Sequence, residues 1–538
     1  MSRYFSLHLQ KHKKTSLFSF PRFYAGMQKI LFLVISFTSL SVYAQDLSNE
    51  LVIAMPFGPS VKIVDPAKGY NGWYTNEAGV TETLFVLDFD LNLAPWLVES
   101  YKNSTPLAWE IKLKKGLRFH NNSSFDAVAV KWTFNRIIDK NSPVFNKRLH
   151  GLLDIKKITV LDKHSILFET NRPNASFLYN LTSPGTGIIS PESKGKNIYG
   201  TGPFMLKKVI PNEQVIVTGF KGYWGGKPKL AGAHLKIIKN PATRMLAFEA
   251  GQVDIAASFP ETDTKRIKSR KGVKIISQPT TRLCFFFVRV ADGPLADPVI
   301  RKAVNYAINR DEIVEAVLAG IGGEAGASIF PQVLPWSNKD LKPYPFDPAL
   351  ASKLLAEAGA VDENKDGILE IKGIPLILNA WTYEGRAALK PTLELVQEQL
   401  GRVGIALNLK ITKKGSPINR AMQKGYVHLN LQMWNTALQG DPDYFISQVF
   451  TSGQASNFMG YENPEIDRLA KKGKNTFNFK ERKKIYNRIQ KIIYDDCPVI
   501  VLFHKSMVSA VCDYVENYRI HPAEKYLMTR EINRKQTD

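Results

Sequence analysis

The chain has 538 residues, 44% of them hydrophobic, and its 72 Lys and Arg against 49 Asp and Glu give a formal net charge of +23. That length is too great for one hydrophobic core, so two or three domains are expected. Repeats, low-complexity linkers and charge blocks are missing from the sequence, which excludes a string of independent modules and points to domains that interleave.

The amino end reads as a secretory signal. Arg22 and Lys29 form a basic region, and Ile30 to Val42 is apolar but too short to span a bilayer comfortably. Val42-Tyr43-Ala44 places cleavage before Gln45, making residues 1–44 the signal, with Met27 as the expected true start; an uncleaved anchor is the competing reading. No cysteine lies near the cleavage point to carry a lipid, so the expected location is the periplasm. Residues 1–44 hold six of the positive charges (Arg3, Lys11, Lys13, Lys14, Arg22, Lys29) and no acid, so the remainder keeps +17 of the +23. Such a balance suits an acidic ligand, an anionic surface or nucleic acid, and export makes nucleic acid a poor partner. The densest basic run, Lys265 to Lys271, reads as a solvated helix face.

Along the chain, a strand is predicted at Leu51–Met55. Asp126 caps a helix that carries Val130, Phe134 and Ile137 on one face. Strands follow at Ile166–Thr170, Gln214–Thr218 and Leu235–Ile238. Asp297-Pro298 starts a helix, Asn309 with Glu312 starts the next, which ends at Gly320, and Asp347-Pro348 starts another ending at Gly359. Strands at Leu376–Asn379, Ile405–Ile411 and His428–Trp434 precede a long helix from about Lys480 to Tyr494. Near the end, Val499–Phe503 and Met507–Val511 are expected to pair as a hairpin turning near Lys505. That hairpin would bring Cys497 and Cys512 face to face and admit a disulfide. Cys284, inside the apolar run Leu283–Val288, reads as a buried thiol. Helices alternating with short apolar strands give an α/β fold, and the stretch around residues 100–175 reads as an added α+β subdomain.

Enzyme signatures are missing: there is no His-Glu-x-x-His, no Gly-x-Ser-x-Gly and no P-loop. Gly320 to Ala325 imitates a dinucleotide fingerprint but follows a helix, where the fingerprint follows a strand. Asp362 to Glu370 matches the first half of a calcium loop, with Gly367 at the sixth position, yet Gly373 occupies the twelfth and the bidentate acid is absent; a tight turn explains it equally. No cofactor and no bound metal are expected.

Trp434 to Phe445 follows a strand and is rich in turn residues, so Trp434, Asn435 and Asp443 are ligand candidates, against a structural loop with Trp434 in the core. Tyr70, Trp73 and Tyr74 form an early aromatic cluster that suits a pocket wall or a buried patch. Arg282 and His504 flank apolar runs that read as crossovers between lobes, and Tyr383 and Asn457 complete the set.

Several segments in fixed order resemble the large extracytoplasmic solute-binding proteins of family 5, the peptide- and nickel-binding components of ABC importers. They are Ala94 to Ser100, Leu117 to His120, Gly200 to Phe204, Gly222 to Pro228, Thr243 to Ile255, Ile300 to Arg310, Tyr344 to Pro348 and Gly460 to Asp467. The resemblance implies an α/β two-lobe periplasmic-binding-protein fold of type II, with an inserted α+β subdomain and an interlobe hinge. It places the first lobe at 45–284 with the insertion at about 80–195, the second at 285–500, and a return to the first at 501–538. It further implies capture of a small peptide or metal-chelate ligand by cleft closure and delivery, by a monomer, to an inner-membrane ABC permease with its ATPases. Peptide binders of the family often carry an aspartate three residues after the loop tryptophan. Here that position is Ala437, with acids only at Asp441 and Asp443. Nickel-chelate binders use an arginine and sometimes a histidine, and neither Pro184–Pro191 nor Thr451–Met459 supplies one; Arg282 is the available substitute. A ligand-sensing accessory of a membrane receptor and an exported hydrolase remain as other readings.

Overall fold

The computed structural model describes residues 49–535; the expected signal and its cleavage point lie outside the described residues. One continuous sheet runs through the molecule, and its parallel strands form two groups. In the first, Glu50–Met55 lies parallel to Gly232–Ile237 and to Ile255–Ala257. In the second, Ile377–Tyr383 lies parallel to Ala406–Thr412 and to Leu429–Asn435. Two long antiparallel strands, Val273–Val288 and Val499–Cys512, connect the groups. Val499–Cys512 pairs with Ile255–Ala257 at its far end, while Arg282 to Val288 pair with Leu429–Asn435. Register shifts between Pro279 and Arg282, and between Cys284 and Phe285, interrupt this central pairing.

The expected hairpin near Lys505 is therefore not formed. Val499–Cys512 is one 14-residue strand, with Cys497 before one end and Cys512 at the other. At about 3.3 Å per residue the strand alone spans about 43 Å, so the two cysteines lie far beyond the roughly 7 Å between Cα atoms that a disulfide allows. All three cysteines are free. We expect three thiols per chain to react in denaturant without reductant, read by thiol titration, and the urea midpoint to be the same with and without reductant.

Local signals explain the helices. Asp126, Asp297, Asn309 and Asp347 each accept from a backbone N–H two or three residues on, and start the helices Ala127–Ile138, Pro298–Ala307, Arg310–Leu318 and Pro348–Glu357. Pro298 and Pro348 sit in the first turn, where no donor is missed. The long helix spans Phe479–Asp496 and buries Ile485, Ile489 and Ile492.

A separate four-stranded antiparallel sheet is built from Val98–Thr105, Ala108–Leu113, Ser165–Thr170 and Ile155–Asp162. Alternation turns Trp109, Ile111, Leu113, Ile166 and Phe168 inward, where they share one core with Val130, Phe134 and Ile137. Next to it, the buried Glu82 carboxylate accepts from Trp96 Nε1 (2.7 Å), Trp224 Nε1 (3.0 Å), Tyr223 OH (2.7 Å) and Thr201 Oγ1 (2.8 Å). Burial raises the Glu82 pKa against the lowering effect of these four donors. Glu82→Ala strands the donors; we expect it to cost at least about 3 kcal/mol, with Glu82→Gln milder because one acceptor oxygen survives. Urea unfolding measures the difference.

Candidate functional site

The carboxyl ends of parallel strands from both groups converge on one cavity of about 870 Å³. Pro56 and Phe57 follow Met55, Ser258 follows Ala257, and Lys239 stands just past Ile237; opposite them lie Tyr383, Glu384 and Ile411. Ligands of α/β sheets dock at such ends, and the volume suits a drug-sized or small-peptide ligand. The central strands close the back with Thr280, Arg282 and Lys505.

Charges in this chamber are unevenly paired. Arg282 Nε and Nη2 grip both oxygens of Glu524, at 2.7 and 2.5 Å. Burial would raise the Glu524 pKa, but the charge and hydrogen bonds of Arg282, with Arg386 and Lys505 beyond, hold it below the ordinary value. Lys505 Nζ meets Glu261 at 2.5 Å. Arg244 is buried, donates to the carbonyls of Ala257 (2.7 Å), Ile238 (2.6 Å), Lys239 and Ser258, and has no carboxylate partner among the described residues; burial lowers its pKa to about 10. Arg386 lies over the Phe57 ring, 5.3 Å from its centre, and makes no ion pair among the described residues. Burial first, then repulsion from Arg282, lowers its pKa. The wall therefore offers positive charge in excess and faces an anion favourably. Among the described residues, neither histidine nor cysteine lines the chamber.

Of the residues singled out in the sequence, Arg282 and Tyr383 line this chamber. Tyr74 lines a smaller pocket with Phe57 and Glu77. Trp73 donates from Nε1 to the Glu524 carbonyl at 3.0 Å, steadying the segment that carries the carboxylate. Tyr70 is 72% exposed and precedes the helix Asn71–Glu77. Trp434 is half-buried, bonds Gln432 and packs edge-on against Phe285, Phe287 and Phe445. Asn435, in register with Arg282, accepts from Thr281 Oγ1 at 2.8 Å and stays beside the central strand pairing. Asp443 is buried and accepts from Ser447 and Tyr486. Asn457 staples its own loop to Thr451 and Tyr461. His504 is buried on the central strand and contacts the Ser328 carbonyl at 2.8 Å. These last three hold structure; their hydrogen bonds are spent within the protein.

The expected turn at Asp362–Glu370 brings the carboxylates of Asp362, Asp366 and Glu370 within 4.8 Å of one another. Asp362 accepts from the backbone N–H of Asp366 and Gly367, and Glu370 from Glu363 N and Asn364 Nδ2, as a tight acidic turn does. Arg386 and Glu524 were not singled out in the sequence. The usable signal for Arg386 was a Gly-containing loop, Gly385 at φ 97°, directly after the strand Ile377–Tyr383, whose predicted length stopped at Asn379. Glu524 carries no local signal.

The profile of the bacterial extracellular solute-binding proteins, family 5 Middle, matches residues 92–457. The chain belongs to that family. Across 505 residues it is 27% identical to the glutathione-binding protein GsiB of Escherichia coli (strain K12), covering 90% of this chain and 94% of that one. Among solved structures, NikA from Brucella suis in complex with Fe(III)-EDTA superposes with a TM-score of 0.80 at 24% identity, over 90% of this chain and all of that one. DppA from Helicobacter pylori, an ABC transporter-associated periplasmic binding protein in complex with the peptide STSA, superposes with a TM-score of 0.71 at 22% identity, over 91% and 99%. The fold is thus the two-lobe type II periplasmic-binding-protein fold, and the chain is a solute-binding component of an ABC importer. Members of the family are binding proteins. Among the described residues, no helix is long and apolar enough to cross a membrane.

Proposed function

We propose that this solute-binding protein captures a small carboxylate-bearing ligand in the 870 Å³ chamber and hands it, as a monomer and without chemical change, to an inner-membrane permease. The observation that carries the reading is Arg386, a half-buried cation with no ion pair of its own among the described residues, beside the paired Arg282 and Glu524. A carboxylate supplies the missing charge, and bidentate geometry suits a guanidinium. The peptide-like class is favoured over a metal bound by protein side chains, because no histidine or cysteine among the described residues lines the chamber; a chelate with all its donors would enter as an organic anion. Glutathione, named for the relative in Escherichia coli, is the first probe. The register shifts between Pro279 and Arg282 support a hinge there, and the proposal includes export with cleavage before Gln45 and a periplasmic location.

Calorimetry with glutathione, trialanine, their N-acetyl forms and the nickel–histidine complex tests the reading. One-to-one binding of at least one carboxylate probe, competed by the others that bind, is expected. Binding of the nickel complex alone, unaffected by excess of the metal-free acids, would contradict it.

A further inference from the structure

We infer that the ligand is a zwitterion and that Glu77, at the end of the helix Asn71–Glu77, receives its ammonium group. The inference rests on the carboxylate reading above and supplies the opposite pole.

A side chamber of about 90 Å³ adjoins the main one, and Pro56, Phe57, Ser258, Arg386, Met507 and Glu524 line both. Glu77 lines this side chamber and a third pocket next to it. Its carboxyl group makes no side-chain hydrogen bond and no ion pair among the described residues. The neighbouring acids are answered: Glu524 by Arg282 and Glu261 by Lys505. Two of the cations along the side chamber are engaged elsewhere: Lys525 Nζ donates to the Thr182 carbonyl at 2.9 Å, and Arg519 lies 3.8 Å over the Phe89 ring. The third, Arg386, lies over Phe57, makes no ion pair with Glu77, and is the cation assigned to the ligand carboxylate. An acid left without a partner in a low-dielectric pocket is costly as an anion. Burial first, then the Glu524 charge, accordingly pushes its pKa up to about 8. A ligand ammonium restores the charged form. The space, about three waters in size, admits a slim aminomethyl end and excludes a bulky one. Arg386 borders both chambers, so a carboxylate held there leaves the ammonium within the same connected space.

The titratable and charged groups around Glu77 are Tyr74 on its own helix, Tyr518, Arg519, His521, Glu524 and Lys525 from the carboxy-terminal segment, and Arg386 from across the cleft. None of them shares a hydrogen bond with it. Ammonium binding selects the ionised Glu77 and releases a proton below about pH 8.

The test is calorimetry of the ligand-free mature protein with glutathione, trialanine and their N-acetyl forms, from pH 6 to 8, for the native chain and Glu77→Gln. Gln mimics the uncharged acid and leaves the fold intact, which retained binding of the N-acetyl probes checks. The native chain is expected to prefer the free-amine form by at least about tenfold, with an affinity that rises by up to about tenfold per pH unit below pH 8. Glu77→Gln is expected to abolish both the preference and the pH dependence. Equal affinity for free and acetylated probes, or a preference that survives Glu77→Gln, overturns the inference while the carboxylate reading stands. Binding of no probe in either form overturns both.

Discussion

Arg482→Met is expected to lower the free energy of unfolding by about 3 to 5 kcal/mol. Arg482 and Asp441 form an ion pair with side chains only 2% and 3% exposed. The guanidinium also donates to Ser176 Oγ at 2.7 Å and to the Gly473 carbonyl at 2.9 Å, and lies about face-on to Trp336 and Tyr486. Ser176 in turn donates to Asp441 at 2.9 Å. Burial works against the charge on Arg482, and Asp441 with its neighbours outweighs it, keeping the pKa above the ordinary value. Residues from four parts of the chain, around Ser176, Trp336, Asp441 and Arg482, meet here, and Ala175 N bonds the Lys474 carbonyl beside them. Removing the arginine strands Asp441 in the interior, which is where the large cost arises. The double variant Arg482→Met, Asp441→Leu is expected to regain most of the loss, since paired apolar replacements leave no buried charge. Urea unfolding of the two singles and the double gives the coupling directly.

Arg282→Met is expected to cost both stability and binding. It leaves the Glu524 carboxylate buried without its bidentate partner, a loss of about 3 kcal/mol, and removes positive charge from the chamber. The pH dependence identifies the cause. In the native chain the Glu524 pKa is depressed, so its contribution is fully present above the ordinary value of 4.5 and is lost as pH falls through the depressed value. Without Arg282, burial dominates and the acid resists ionisation. The stability difference between native and variant should therefore be largest near neutral pH and shrink on acidification below about pH 4.5. Urea midpoints from pH 3 to 7 read the trend; a difference independent of pH would mean that the pair contributes packing alone. Arg386→Met should separate the two effects. It breaks no ion pair within the protein, so stability should change by less than about 1 kcal/mol while carboxylate affinity falls by about 1.5 to 3 kcal/mol.

The helix starts were legible because their cause is local. Asp126, Asp297, Asn309 and Asp347 cap the residues that follow them wherever the rest of the chain goes. The parallel strands were legible as short apolar runs for the same reason, except Ile255–Ala257, which is only three residues long. Val499–Cys512 was not, because Lys505 and Ser506 interrupt its apolar pattern and imitate a turn. Those residues are polar because the strand crosses the cleft there, where Lys505 meets Glu261. The aromatic loop at Trp434 was legible as a strand end, but the direction of its side chains was not. Asp443 turns inward to Tyr486 and Ser447, a contact between residues 43 apart. Arg386 and Glu524 acquire meaning only when positions separated by more than a hundred residues share one chamber, and no spacing in the sequence encodes that. Family likeness supplied the two-lobe order where periodicity stopped.

The most direct test of the carboxylate chamber is native mass spectrometry of the protein purified from its own cells without added ligand, with elemental analysis of the same sample. The account predicts one small organic acid per chain, no metal beyond what that acid itself chelates, and loss of the bound mass in Arg386→Met. A bound mass that survives Arg386→Met undiminished, or a stoichiometric metal without an organic acid, would contradict it.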